Sequence, residues 1–347
     1  MEKWQQILNA SITSPEQLNQ RFVLDAGPLQ KVARRYPMRI TPYYLNLIKA
    51  PGDPIWRQCV PDPRELADDR QHEDPLHEEE LSPVPGLIHR YPDRVVWLVS
   101  SSCAVYCRFC MRKRRIGCAA ETSDGATRES VFRYIGENRG IRDVILSGGD
   151  PLLLDDEALE EILSRLRAIS HVEIIRIGSR VPVTLPARVT QGLCRMLKKY
   201  HPLYINTHFN HPQEITVEAA KACAMLSDAG IPLGNQTVLL KDVNDDPVVM
   251  KRLMQLLLKI RVRPYYIHQM DLVKGTAHFR TRIEHGIEIM ESLRGHTSGM
   301  ASPHYVIDLA GGKGKVPLMP DYVNRVGENT LRIRNYRGEM VEYIDAG

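Results

Sequence analysis

Val95-Val96-Trp97-Leu98-Val99-Ser100-Ser101-Ser102-Cys103-Ala104-Val105-Tyr106-Cys107-Arg108-Phe109-Cys110 is the stretch that decides the fold. Its first half, Val95–Ser101, is an apolar, β-branched run of strand length. Its second half places Cys103, Cys107 and Cys110 at C-x3-C-x2-C spacing. Residues directly after a strand lie on a loop at its C-terminal end, where parallel sheets and barrels carry their sites. Three thiolates are one short of the four that close a structural zinc or ordinary iron–sulfur site. A [4Fe–4S] cluster held by three cysteines leaves one iron open to another ligand. The competing reading is a zinc site completed by Cys118 or a nearby histidine, although the spacing follows no common zinc pattern.

Working outward, the same strand type recurs at Val144–Ser147, Glu173–Ile177, Leu203–Thr207, Leu233–Leu239 and Arg263–His268. Helical patterns at about 126–138, 155–168, 187–199, 215–229, 247–260 and 281–295 alternate with these strands. Six βα units predict an α/β protein with a parallel sheet, either doubly wound or closing toward a barrel. Residues 1–90 lack this alternation. There, Trp4–Leu8, Pro15–Phe22 and Met38–Lys49 read as short helices. The polar stretch 61–80, with Asp68-Asp69, Glu78-Glu79-Glu80 and three prolines, reads as a solvated connector. Near the end, Thr330–Asn335 and Glu339–Ile344 flank Tyr336-Arg337-Gly338 as a β-hairpin. The chain therefore divides into a helical region with connector (1–90), a core (91–300) and a C-terminal extension (301–347).

With 46 basic and 42 acidic residues the net charge is only +4, which argues against nucleic acid or a membrane as partner. No apolar run approaches the roughly 20 residues of a membrane span. The start, Met1-Glu2-Lys3-Trp4-Gln5, lacks an apolar signal core. Seven cysteines, an odd number, fit reduced thiols better than a secreted disulfide framework. A cytoplasmic location is the expectation.

Beyond the cysteines, several segments are unusual in wording and in mutual spacing. They are Leu146-Ser147-Gly148-Gly149-Asp150-Pro151, Ile177-Gly178-Ser179-Arg180, Asn206-Thr207-His208-Phe209-Asn210-His211-Pro212, Gly234-Asn235-Gln236 and Asp308-Leu309-Ala310-Gly311-Gly312-Lys313-Gly314-Lys315-Val316-Pro317. The cysteine spacing resembles the radical S-adenosylmethionine (SAM) superfamily. Together with these segments, roughly residues 85–345 resemble lysine 2,3-aminomutase. The resemblance implies a partial (βα)6 barrel with a mainly helical N-terminal region and a short β-containing extension. It also implies three cofactors: a [4Fe–4S] cluster on Cys103, Cys107 and Cys110, SAM, and pyridoxal 5′-phosphate (PLP).

The same resemblance implies SAM contacts at Gly148, Gly149, Asp150, Ser179, His208 and Gln236. Read without it, the two glycines permit close backbone approach and Asp150 is an ordinary helix cap. The resemblance makes Lys315 the lysine that carries PLP, with Lys313, which replaces a glycine of the family pattern, as competitor. Arg90, Tyr91 and Arg94 resemble residues that hold PLP, and arginine suits phosphate through its planar fork. Arg112 matches the residue that binds the substrate carboxylate. The rest of the run Arg108, Lys113, Arg114, Arg115 reads as a solvated face.

Asp271 and Asp308 match the acids that bind a substrate ammonium, which in a dry pocket requires opposite charge. The implied activity is the isomerisation of L-lysine to L-β-lysine. The alternatives are an aminomutase for arginine or glutamate, a lysine enzyme serving translation-factor modification, or an RNA-modifying radical SAM enzyme. The implied partners are the amino acid, a cellular reductant and, by analogy, further copies of the chain. Longer family members carry a C-terminal cysteine group that binds zinc; no cysteine follows Cys223 here, so no structural zinc is expected.

Overall fold

The computed structural model describes residues 2–68, 71–117 and 125–346. Burial alternates along each core strand as the pleat requires: in Asp143–Gly148, Val144 and Leu146 are buried while Ile145 and Ser147 are half-buried. The strands are β1 (Leu87–Tyr91), β2 (Arg94–Ser100), β3 (Asp143–Gly148), β4 (Ile174–Gly178), β5 (Leu203–Thr207), β6 (Leu233–Val238), β7 (Arg263–His268), β8 (His304–Asp308) and β9 (Lys315–Pro317). They form one curled sheet in chain order. Strands β2 to β8 run parallel, while β1 and β9 close the edges as antiparallel partners of β2 and β8.

The helices between strands are α1 (Gly125–Glu137), α2 (Asp156–Ala168), α3 (Gln191–Lys198), α4 (Val217–Asp228), α5 (Pro247–Lys259) and α6 (Ile283–Leu293). They bury Ile135, Leu163, Leu197, Leu226, Leu257 and Ile289 in the same core as Trp97, Leu146, Ile177 and Ile205. All six expected parallel strands are present. The seventh, β8, is a strand that sequence reading leaves as a short apolar run.

The other sheet face is polar and half-buried. It carries Ser147, Arg176, Asn206, Gln236, Tyr266, His268 and Asp308 at alternating strand positions. A partial barrel is therefore packed outside and chemically equipped inside. Beyond it, β10 (Val323–Arg325), β11 (Thr330–Arg334) and β12 (Met340–Ile344) form a separate antiparallel sheet, with the expected hairpin between the last two.

The N-terminal region is helical, with different boundaries from those expected. Lys3–Asn9 contains the expected first helix, but Pro15–Leu18 and Pro42–Leu45 are single turns. Pro42 disfavours a helix running through Thr41, and Ile40 instead bridges to Ile12. Ala26–Arg35 and Pro54–Cys59 are additional helices, capped by Asp25 and Asp53.

The solvated connector is overturned. Glu65, Asp68 and Glu78 are buried, as are Arg108 and Lys113 of the basic run. Glu65 accepts from Arg108 Nε at 2.9 Å and also pairs with the Lys113 ammonium. One Asp68 oxygen accepts the backbone N–H groups of Gly275, Thr276 and Ala277 at 2.9, 3.3 and 3.2 Å. The two charge runs satisfy each other, which neither composition nor a local pattern reveals.

Candidate active site

Each parallel strand delivers its chemistry at its C-terminal end. After β2 comes the cysteine loop. Its thiols are free, and Cys103, Cys107 and Cys110 are each only partly exposed. Burial pushes the Cys103 thiol well up, with Asp150, Cys110 and Cys107 adding to it. Burial and Cys107 raise Cys110 to about 11. Burial thus disfavours a bare thiolate at Cys103 and Cys110. Among the described residues, no three His, Cys, Asp or Glu side chains meet closely enough to hold a single ion. Cys103, Cys107 and Cys110 lie on one loop, and three thiol donors are the set that fits three corners of an iron–sulfur cluster. Cys118 lies outside the described residues.

After β3, Gly148 takes φ +117° where the β2–β3 register shifts. A Cβ there would fall 2.3 Å from the Ser100 carbonyl oxygen, and one on Gly149 would fall 2.3 Å from that of Ser102. The close approach is therefore to the backbone leading into the cysteine loop, not to open space. Asp150 caps the following turn through Leu152 N–H at 3.1 Å and accepts Ser179 Oγ–H at 2.7 Å and Arg180 N–H at 2.7 Å. Burial nonetheless pushes its carboxyl upward. Asp150 and Ser179 thus lock the β3 and β4 loops together.

His208, after β5, is different. Its Nε2 is buried without a protein partner. Burial and then Arg180 hold its ring well below the usual imidazole range, so it is neutral. An unpartnered buried ring nitrogen beside the cysteine loop, 5.5 Å centroid to centroid from Phe109, fits a bound polar ligand such as SAM. Gln236 sits half-buried on β6.

The turn between β8 and β9 contains the glycine-rich segment. Gly311, Gly312 and Gly314 have φ +72°, +68° and +96°, so this is a tight turn that only glycine takes without strain. Lys313 at its tip is exposed, whereas Lys315 is half-buried. The Lys315 ammonium pairs with Asp308, lies 3.3 Å from His268 Nδ1 and 5.5 Å from the Tyr266 ring centroid. Tyr91 accepts the Lys315 backbone N–H at 2.8 Å, so it fixes the strand that carries the lysine.

Arg90 Nη1 reaches Asp308 at 3.1 Å, while Arg90 Nε is buried without a partner. Arg94 bonds Asp93 at 2.8 Å and stacks 3.9 Å over Tyr91. The charges of Arg176 and Arg94 both act on the Tyr266 hydroxyl. An orphaned guanidinium N–H fits an anionic group, and the phosphate of PLP is one.

Asp308 gathers Arg90, Lys315 and His268. Burial opposes ionisation, but hydrogen bonding from His268 and the Lys315 charge outweigh it, holding the carboxyl well below the usual range. Asp271 has the opposite fate. Burial, then the Asp308 charge, push it to about 7. Arg112 is gripped by buried Glu78, Nε to Oε2 at 3.0 Å and Nη2 to Oε1 at 2.7 Å, with Nη1 on Ser147 Oγ at 3.1 Å. Asp271 acts electrostatically on Arg112, and Glu78 on Asp271, so all three share one neighbourhood.

Sequence reading missed Glu78, Arg176, Arg180, Tyr266 and His268. Arg180 adjoins Ser179 in a segment already singled out, and His268 ends a strand shortly before Asp271. Strand-end position was a usable signal for both.

Two family models match the chain: "Radical SAM superfamily" over residues 97–254 and "Lysine-2,3-aminomutase" over residues 290–346. An L-lysine 2,3-aminomutase from Methanococcus maripaludis is 54% identical, with 91% of this chain and 74% of that protein covered. One from Clostridium subterminale is 50% identical over 99% of this chain and 84% of its own. A glutamate 2,3-aminomutase from Clostridioides difficile is 46% identical over 99% and 82%.

Proposed function

The chain belongs to the lysine 2,3-aminomutase family of radical SAM isomerases, and from that premise we propose that its substrate is L-lysine, converted to L-β-lysine with PLP as an additional cofactor. The observation that carries the choice is the acid pair. Asp308 already carries Arg90 and an alkylammonium, that of Lys315, while Asp271 beside it is pushed up to about 7 by burial and by the Asp308 charge, so an incoming ammonium would stabilise its ionised form. A lysine side chain offers the same group. A glutamate side chain would bring a third carboxylate to two, against unfavourable electrostatics in a partly desolvated site.

When bound, the cluster with SAM would supply radical chemistry at a substrate carbon, and PLP would supply activation of the amino group. Around that chemistry the chain's residues bind and orient. Cys103, Cys107 and Cys110 hold the cluster. Lys315 holds PLP, with Arg90 and Arg94 toward its phosphate and Tyr91 fixing the lysine's backbone. Gly148, Gly149, Asp150, Ser179, His208 and Gln236 border SAM, with Asp150 and Ser179 acting through the loop they lock. Arg112, its Nε edge occupied by Glu78, turns its remaining N–H groups to the α-carboxylate. Asp271 and Asp308 hold the side-chain ammonium. The separate charges of the arginine and the two acids select a substrate with a carboxylate and a second ammonium.

The test is anaerobic cluster reconstitution, followed by incubation with SAM, PLP, a strong reductant and lysine, arginine or glutamate in turn. Lysine should give the β-amino acid fastest. Faster turnover of arginine or glutamate would reject the substrate assignment while leaving family membership untouched.

A further inference from the structure

We propose that Arg180 tunes the reduction of the iron–sulfur cluster by donating a charged hydrogen bond to the sulfur of Cys107. The proposal rests on the cluster assignment above. Arg180 is only 8% exposed, and its Nη1 lies 2.7 Å from Cys107 Sγ. The rest of the head is tied down. Nε donates to the His208 carbonyl at 3.1 Å, and Nη2 to Gln58 Oε1 at 2.6 Å, Glu214 Oε1 at 2.7 Å and Tyr44 Oη at 3.1 Å. Its backbone N–H is held by Asp150, and its guanidinium lies 5.2 Å from the Phe109 ring centroid, between two of the cysteines in sequence. A long flexible side chain is thereby reduced to one pose, with a cationic N–H aimed at a ligand sulfur.

Hydrogen bonds and net charge at the sulfurs are main determinants of a cluster's potential. Reduction adds one electron from an external low-potential one-electron donor. No bond is made or broken and no proton is required, so the cluster and its thiolates become more negative by one unit. A buried cation on one sulfur stabilises that extra charge directly. Glu214 moderates the effect. Its Oε1 accepts from Arg180 and Tyr44, and its Oε2 accepts the backbone N–H groups of Asn210 and His211. Glu214 therefore keeps other partners when Arg180 is replaced.

The two residues predict changes of opposite sign, which a merely structural role would not. The experiment is a potentiometric titration of the reconstituted protein without SAM, read by the electron paramagnetic resonance of the reduced cluster. At a fixed poise, Arg180→Met should lower the ratio of reduced to oxidised cluster about tenfold, a shift of about 59 mV for one electron. Arg180→Lys, which keeps the charge, should recover most of that loss. Glu214→Gln should raise the ratio above wild type. An unchanged ratio in cluster-loaded Arg180→Met, or in Glu214→Gln, overturns the proposal. If Arg180→Met takes up no cluster, Arg180→Lys and Glu214→Gln decide: a large loss in the first or no rise in the second overturns it. Wild-type protein that takes up no cluster would instead defeat the assignment of the cysteines.

Discussion

Asp308 and Lys315 stand directly opposite each other in the antiparallel pairing of β8 with β9, and their side chains form an ion pair on the inner side of the barrel. Their sequence separation is the arithmetic of a hairpin whose turn is built from three glycines at positive φ. The register separates the two lysines: Lys315 lies in the paired strand beside Asp308, while Lys313 sits exposed at the turn.

With PLP added to the purified protein, the near-visible absorption of the protein-bound cofactor should form in wild type and in Lys313→Ala. It should be lost in Lys315→Ala. Loss in Lys313→Ala with retention in Lys315→Ala would reverse the assignment.

The raised Asp271 carboxyl gives a pH dependence. Its ordinary value is 3.8 and its folded value about 7. Between these the folded chain holds a proton that the unfolded chain has released, so stability falls as pH rises through this window and levels off above it. Asp271→Asn should flatten that slope, measured as Tm across about pH 5 to 8. Binding of an ammonium requires the ionised form, so kcat/KM for lysine should rise through about pH 7 in wild type and lose that limb in the variant.

Glu78 is predicted to orient Arg112. Removing one partner of a buried ion pair costs about 3–5 kcal/mol, so Glu78→Ala should lower Tm by several degrees. Glu78→Gln keeps one hydrogen bond and should stay folded, with KM for lysine raised about tenfold and cluster content unchanged. An unaltered KM would show that Arg112 keeps its aim unaided.

Glu65→Ala leaves both Arg108 and Lys113 buried without their carboxylate. The expected loss is again about 3–5 kcal/mol, seen in thermal or denaturant unfolding. Burial lowers Lys113 to about 8 despite Glu65, so removing the acid should lower it further and favour the neutral amine.

Much of the core was legible because strand and helix periods differ and because strand ends collect functional residues. Val144–Ser147 and Leu203–Thr207 lie where the apolar runs placed them. The cysteine loop was legible from spacing, and Lys315, Asp271 and Asp308 came from resemblance. Charge partnership was not legible. Glu78 and Arg112 are 34 residues apart, and Arg180 and Cys107 are 73 apart. Local reading treats each such charge as solvated, because only the fold brings its partner. The helix expected over Met38–Lys49 shrank to one turn for a related reason: Pro42 and the Ile12–Ile40 bridge override a pattern that looks continuous.

The cysteine loop is held by segments made at three different times. Arg108 donates to the Pro37 carbonyl at 2.9 Å, Arg108 N–H to the Gln58 carbonyl at 2.9 Å, and the Lys113 ammonium to the Gly275 carbonyl at 3.1 Å. During synthesis, Glu65 and Asp68 emerge well before the Gly275–Ala277 amides that Asp68 will accept. The anchoring of the cysteine loop is therefore complete only once the chain has been made as far as Ala277, so its final shape depends on a segment about 160 residues downstream as well as on those before it.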